Sequence, residues 1–182
     1  MFRSKLAGVL LASLAVVGMT AQAASADPPP KAEIAGLYSV HHNDIGTFPI
    51  GWAFAVGGNV TNWMAIVGEV GGGYKSLTEF GTEVTIKEHT FLGGVKFASR
   101  RSPAAVPFVQ VLTGVDNIGA GVLGVTVSTN AFALQTGGGV DIRMGSKAGP
   151  RIQGDYRLLS KDGDYANEYR FAVGVMFGLG KR

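Results

Sequence analysis

Three histidines, a set of charges on extended segments and two glycine triplets are the residues able to carry chemistry. His41, His42 and His89 supply every imidazole in the chain. A metal centre needs two or three such ligands converging with a carboxylate. His41 and His42 are adjacent on an extended segment, so their side chains point to opposite faces and cannot readily chelate one ion together. With Asn43 and Asp44 they read as a polar loop, and His89, beside Glu88, reads as a rim residue. No metal centre is expected. A nucleophile–base–acid set is not evident either. No Gly-x-Ser-x-Gly occurs. Ser39, Ser128 and Ser160 offer hydroxyls, but no histidine lies in the C-terminal half to activate one. Neither enzymatic activity nor a cofactor is expected. The triplets Gly71-Gly72-Gly73 and Gly137-Gly138-Gly139 open no helix and lack the Gly-Lys-Ser/Thr of a phosphate loop. Within strands such glycines mark close backbone approach, a bend or a bulge.

The remaining candidates are charges: Glu69, Lys96, Asp141, Arg151, Asp155, Arg157 and Arg170. Both signs are present, and their meaning depends on the elements that hold them. After residue 30 there is no long stretch with apolar residues at helical spacing, whereas alternation with period two recurs. Tyr169, Phe171, Val173, Val175 and Phe177 share one face, with Arg170, Ala172, Gly174 and Met176 on the other. Ile152, Gly154, Tyr156 and Leu158 alternate with Arg151, Gln153, Asp155 and Arg157. The same alternation runs from Phe132 to Ile142, against Ala133, Gln135, Gly137, Gly139 and Asp141, and from Trp52 to Val60, against Gly51, Ala53, Ala55, Gly57 and Asn59. These are strands with one bulky apolar face and one small or polar face.

The breaks predict eight strands, at 33–41, 48–60, 64–75, 83–98, 106–116, 130–142, 148–159 and 168–177. Connectors at 61–63, 99–105 and 143–147 are short. Those at 42–47, 76–82, 117–129 and 160–167 are longer and rich in Gly, Asn, Asp and Thr. This pattern fits an all-β fold: an eight-stranded antiparallel up-and-down transmembrane β-barrel. The even count places both chain ends on one side, expected to be the periplasm, with the longer loops outside. A soluble barrel would carry dense Lys, Glu and Asp on its water face. Here the second face is glycine and alanine, as the cramped interior of a small barrel requires. The seven charges therefore read as a network of paired charges inside the lumen, because a lone buried charge is very costly. Trp52, Trp63, Tyr74, Phe97, Tyr156, Tyr169 and Phe177 fall near predicted strand ends, where interfacial aromatic girdles sit.

The N-terminus has the features of an export signal. Arg3 and Lys5 precede the apolar run Leu6 to Val17, and Ala24-Ser25-Ala26 offers a small-x-small cleavage site. The run is shorter than the roughly 20 residues needed to span a bilayer. The expected organisation is a cleaved signal at 1–26, a short segment at 27–32, a barrel domain at 33–177 and a tail at 178–182. The formal charge of +3 and the lack of a long Lys/Arg run exclude a nucleic-acid footprint. With no cysteines, an exported chain must be held by its core or by a closed hydrogen-bond ladder.

Several segments taken together carry a family resemblance: Gly36-Leu37-Tyr38-Ser39, Phe91-Leu92-Gly93-Gly94-Val95-Lys96-Phe97, Pro107-Phe108-Val109-Gln110-Val111-Leu112, and Gly154-Asp155-Tyr156-Arg157 followed by Glu168-Tyr169-Arg170-Phe171. Over residues 33–177 the chain resembles the outer membrane protein β-barrel domain family, the small OmpA/OmpX-like barrels. The resemblance implies an eight-stranded barrel without a continuous large pore, and it does not imply a catalytic site. A monomer in the bacterial outer membrane is expected, with lipid and the barrel insertion machinery as its partners. The expected role is a structural or interaction scaffold. A narrow channel or carrier for small solutes, or a soluble periplasmic ligand-binding barrel, are the alternatives. The chain departs from the family in two ways. Five residues follow Phe177, where such barrels commonly end on an aromatic residue, and a C-terminal peptidoglycan-binding domain of the kind larger relatives carry is not expected. Amino-terminal sequencing of the exported protein is expected to begin at Asp27. A start at Met1 would show that the first 26 residues are retained.

Overall fold

A computed structural model describes residues 29–43, 46–79, 82–102, 104–122, 125–144 and 148–180. The segment 1–26 expected to be a cleaved signal lies outside the described residues. Eight strands follow one another: β1 (Ala32–Asn43), β2 (Gly46–Asn59), β3 (Met64–Glu79), β4 (Thr82–Ala98), β5 (Ala105–Val122), β6 (Val125–Ile142), β7 (Ala148–Lys161) and β8 (Asp164–Leu179). Each pairs antiparallel with its neighbours in the chain, and β1 closes on β8 from Ala32↔Leu179 to Asn43↔Glu168. Closure leaves no free strand edge, so the ladder satisfies its own backbone groups.

The alternation legible in the sequence becomes an inside and an outside. Along β8, Tyr169, Phe171, Val173, Val175 and Phe177 are exposed, and Phe171 keeps 58% of its surface. Arg170, Ala172 and Met176 between them are buried. In β7, Arg151, Gln153, Asp155 and Arg157 are buried while Ile152 is exposed. The barrel is thus apolar outside and polar inside, the reverse of a water-soluble barrel. The soluble ligand-binding alternative, which needed an apolar interior, is not the structure adopted. The lumen also holds apolar side chains, among them the small Ala35, Ala55, Ala65 and Ala133 and the larger Leu92 and Leu112, packed as one cluster.

The connectors differ from the expectation. Segments 42–47, 76–82, 117–129 and 160–167 are mostly strand, and only two residues separate β1 from β2, β3 from β4, β5 from β6 and β7 from β8. The longer connections lie at the end that holds the chain termini. Turn-forming residues misled the reading because the ladder carries them. Asn117 pairs with Asn130 and donates from Nδ2 to its Oδ1 at 2.7 Å, and the pairing continues to Val122↔Val125. At the tip of β7–β8, Asp162 and Gly163 have φ of 52° and 93°. Two successive positive φ values are those of a type I′ turn, whose twist matches the strands it joins.

At the terminal end Trp63, Phe97 and Phe177 lie at or beside strand ends as expected, whereas Trp52, Tyr74, Tyr156 and Tyr169 sit along strands that run on past them. Trp63 stacks on Phe97 at 5.7 Å toward the terminal end, on the same side as Phe177. Tyr156 and Tyr169 meet at 5.4 Å toward the far end, where Tyr74 also meets His89 at 6.0 Å. From Tyr169 to Phe177 a strand rises about 27 Å, and a tilt of about 40° leaves about 20 Å of apolar band, close to bilayer dimensions. Val173 lies midway between these levels and faces outward. Val173→Arg is expected to cost about 2–4 kcal/mol of folding stability in phospholipid vesicles. Urea titration of vesicle-folded protein measures this, and an unchanged midpoint would contradict a lipid-facing Val173.

Candidate functional site

The alternation puts all seven charges singled out in the sequence on the inner face: Glu69, Lys96, Asp141, Arg151, Asp155, Arg157 and Arg170 are each at least 94% buried. Six further titratable residues join them, Glu33, His41, Glu88, Arg100, Asp116 and Glu168, with uncharged polar side chains between. The same parity that marks Lys96 also reaches Glu88, and that of Arg170 reaches Glu168, so counting by twos along each strand would have found them. Together they form three levels of contacts across the lumen.

At the terminal end Glu33 of β1 is the hub. It accepts from Lys96 Nζ, from Arg100 Nη2 at 2.9 Å and from Asn59 Nδ2 at 3.0 Å. Arg151 and Asp141, directly opposite in the β6–β7 register, form a two-pronged pair, Nε to Oδ1 at 2.6 Å and Nη2 to Oδ2 at 2.9 Å. Phe108 lies beneath both cations, 4.8 Å from the Arg151 guanidinium carbon and 5.4 Å from Lys96 Nζ. In the middle, Arg170 holds Glu69 at 2.7 Å and Asp155 at 2.8 Å. Gln135 donates to Glu69 at 3.2 Å, and Gln110 and Gln153 donate to Asp155 at 3.3 Å and 2.9 Å. Gly137 faces Asp155 across the ladder, and a Cβ there would fall on the carboxylate. Part of the glycine triplet is therefore space kept for an ion pair.

At the far end Arg157 donates from Nη1 to Glu88 at 2.8 Å and to Glu168 at 2.7 Å. Its Nη2 reaches Gln135 Oε1 at 3.0 Å, which links this level to the middle one. His41 corrects the reading of a polar loop. It lies on β1 with its ring buried in the lumen, while His42 and its contact to Thr47 at 2.9 Å face outward. Pro49, which cannot donate to the ladder, sits where the β1–β2 register shifts between Ser39 and His41. The bulge brings Phe48 opposite His41, ring centroids 4.9 Å apart. His89 faces away, against Tyr74.

Each buried cation here faces at least one carboxylate, and most of the remaining donor and acceptor atoms are filled by amides. Such a network is stable only as a set, because removing one member strands its partners. Arg170→Ala is expected to lower stability by about 3–5 kcal/mol, since Glu69 and Asp155 lose their shared cation. Arg170→Met combined with Glu69→Gln and Asp155→Asn is expected to recover most of that loss. Urea unfolding in detergent measures both, and a wild-type midpoint for Arg170→Ala would show that the pairing contributes nothing.

A family model described as the outer membrane protein beta-barrel domain matches residues 9–177. Among solved structures the fold is similar to Neisserial surface protein A, with a TM-score of 0.63 at 9% identity over 81% of this chain and 96% of that one. It is also similar to Ail, the attachment invasion locus protein of Yersinia pestis, with 0.52 at 14% identity over 83% and 99%. The N-terminal β-barrel domain of Pseudomonas aeruginosa OprF gives 0.53 at 11% identity over 80% and 96%. No curated protein matches. Identities this low speak for the fold alone, whereas the family match spans most of the chain and all eight strands up to Phe177. A closed barrel with an apolar exterior and an ion-paired lumen fits that match throughout, and the chain belongs to the outer membrane protein beta-barrel domain family.

Proposed function

We propose that the protein is a resident barrel of the bacterial outer membrane that serves as a structural and interaction scaffold and not as a pore. The observation that carries this reading is the three-level network, from Glu33 through Arg170 to Arg157, that crosses the lumen with direct side-chain bonds. Steady conduction needs sites that an ion can enter and leave. Here the fixed charges already hold one another. Family membership supports the location, and the Arg3/Lys5 signal followed by Ala24-Ser25-Ala26 supports export with cleavage. Both chain ends then face the periplasm, where the last strand, aromatic at Phe177, meets the insertion machinery.

Lipid contacts the band between the aromatic levels. Closure of β1 on β8 leaves no edge for strand addition, which favours a monomer. Interaction falls to the far ends of the hairpins, where Lys161, Asp162, Asp164 and Tyr165 are exposed. No catalytic step belongs to this reading. Reconstituted into planar bilayers, the folded protein is expected to show no sustained single-channel conductance at physiological salt. Discrete, long-lived steps would overturn the scaffold reading in favour of a narrow channel.

A further inference from the structure

We propose that the far end of the lumen is a binding site for one divalent transition-metal ion of the zinc class, with His41, Glu88 and Glu168 as ligands and Asp116 beside them. One donor atom from each of the three ligands lies within 4.8 Å of the others. His41 Nε2 is 3.9 Å from Glu88 Oε2, and His41 Nδ1 is 4.0 Å from Glu168 Oε1. These separations exceed hydrogen-bond length. Two ligands of a tetrahedral ion, each about 2 Å from it, stand about 3.3 Å apart, so the cluster closes by about half an ångström on an ion that takes one of the two ring nitrogens.

Independent of the cluster's composition, four of its polar atoms lack partners. His41 Nε2 and Glu88 Oε2 are buried without a hydrogen bond, and so are both carboxylate oxygens of Asp116. His41, Glu88, Asp116 and Glu168 are 3%, 1%, 0% and 0% exposed. Buried polar groups are normally satisfied, and a set of orphans aimed into one space calls for something that binds them. Glu88 and Glu168 share the guanidinium of Arg157, Asp116 is in no ion pair, and a divalent ion would bring this acidic level a second positive centre. Among the charged groups of the far level, Arg157 binds Glu88 through Oε1, which leaves Oε2 free to face His41.

The surroundings fix the ligands as a second layer does in metal sites. Phe48 packs on the imidazole. Asn43 donates to Glu168 Oε2 at 3.4 Å. Gly73, opposite Glu88 in the β3–β4 register, leaves the space the ring occupies, because a Cβ there would fall on His41. One nitrogen among carboxylates favours a zinc-class ion over calcium or magnesium, which take oxygen ligands.

The test uses the full-length protein folded in detergent, stripped with chelator and titrated with Zn2+ by calorimetry and with Co2+ by visible absorption. One saturable site per barrel is expected, with ligand-field bands on cobalt addition. His41→Ala is expected to weaken Zn2+ binding about tenfold or more. His42→Asn with His89→Asn is expected to leave binding unchanged, since neither ring reaches the lumen. Excess Zn2+ is expected to raise the urea midpoint of wild type and not of His41→Ala. Absence of a saturable site and of cobalt bands in wild type overturns the proposal whatever the variants do. So does binding that survives His41→Ala and is lost with His42 and His89, which marks adsorption to exposed imidazoles.

Discussion

A strand that crosses a bilayer has no water to receive its backbone N–H and C=O groups, and every other feature of this molecule follows from that constraint. The groups must pair within the sheet, and a sheet has unpaired edges unless it closes. Closure here is made by β1 against β8 along twelve consecutive pairs. Eight strands give the narrow end of the range of closed barrels, so the interior is only wide enough for side chains. The narrowness decides what those side chains can be.

Apolar groups gain nothing by facing inward when the outside is already lipid, so the bulky residues point out and the interior takes what remains. What remains is mostly small, polar or charged, with a few bulky apolar side chains such as Phe48, Phe108 and Leu112. Alanine and glycine leave room, and the charged residues fill it. A buried charge tolerates this setting only when paired and hydrogen-bonded. The glutamines show how fully the condition is met in the middle of the lumen, where Gln110, Gln135 and Gln153 donate to carboxylates that Arg170 has already bound. Toward the far end the condition lapses. Asp116 stands without partners, and His41 lies between two carboxylates at distances too long for hydrogen bonds. Among the described residues, four of the five buried side-chain atoms without a partner lie at the far level, against Arg100 Nε alone at the terminal end.

Much of this was legible in the residues. Period-two alternation marked four of the strands, the breaks between segments gave the count of eight, and the bulk of glycine and alanine on one face identified that face as the lumen. Parity then placed Arg151, Asp155, Arg157 and Arg170 inside without any coordinates. The outer hairpins were harder. Asn117 to Thr129 is written in turn-forming residues, yet cross-strand pairs such as Asn117 with Asn130 hold most of it in the ladder. Local propensity lost to pairing that only a partner strand supplies. His41 was hidden for a similar reason. Its neighbours Asn43 and Asp44 resemble a loop, and the shift at Pro49 that sets Phe48 beneath it belongs to the pairing of two strands.

The sequence by itself determined the period, the number of strands, the face turned to lipid and the inventory of the lumen, because these depend on side chains alternating along a single extended chain. It also implied the pairs that face each other within one hairpin, such as Asp141 with Arg151, once a register is assumed. Only the tertiary structure decided which charges meet across the barrel. Glu33 with Lys96, Glu69 with Arg170 and Glu88 with Arg157 join strands that are not neighbours in the sheet. Their meeting depends on the stagger of every ladder between them and on the point where the sheet closes. That stagger is a property of the whole ring, and no single strand encodes it.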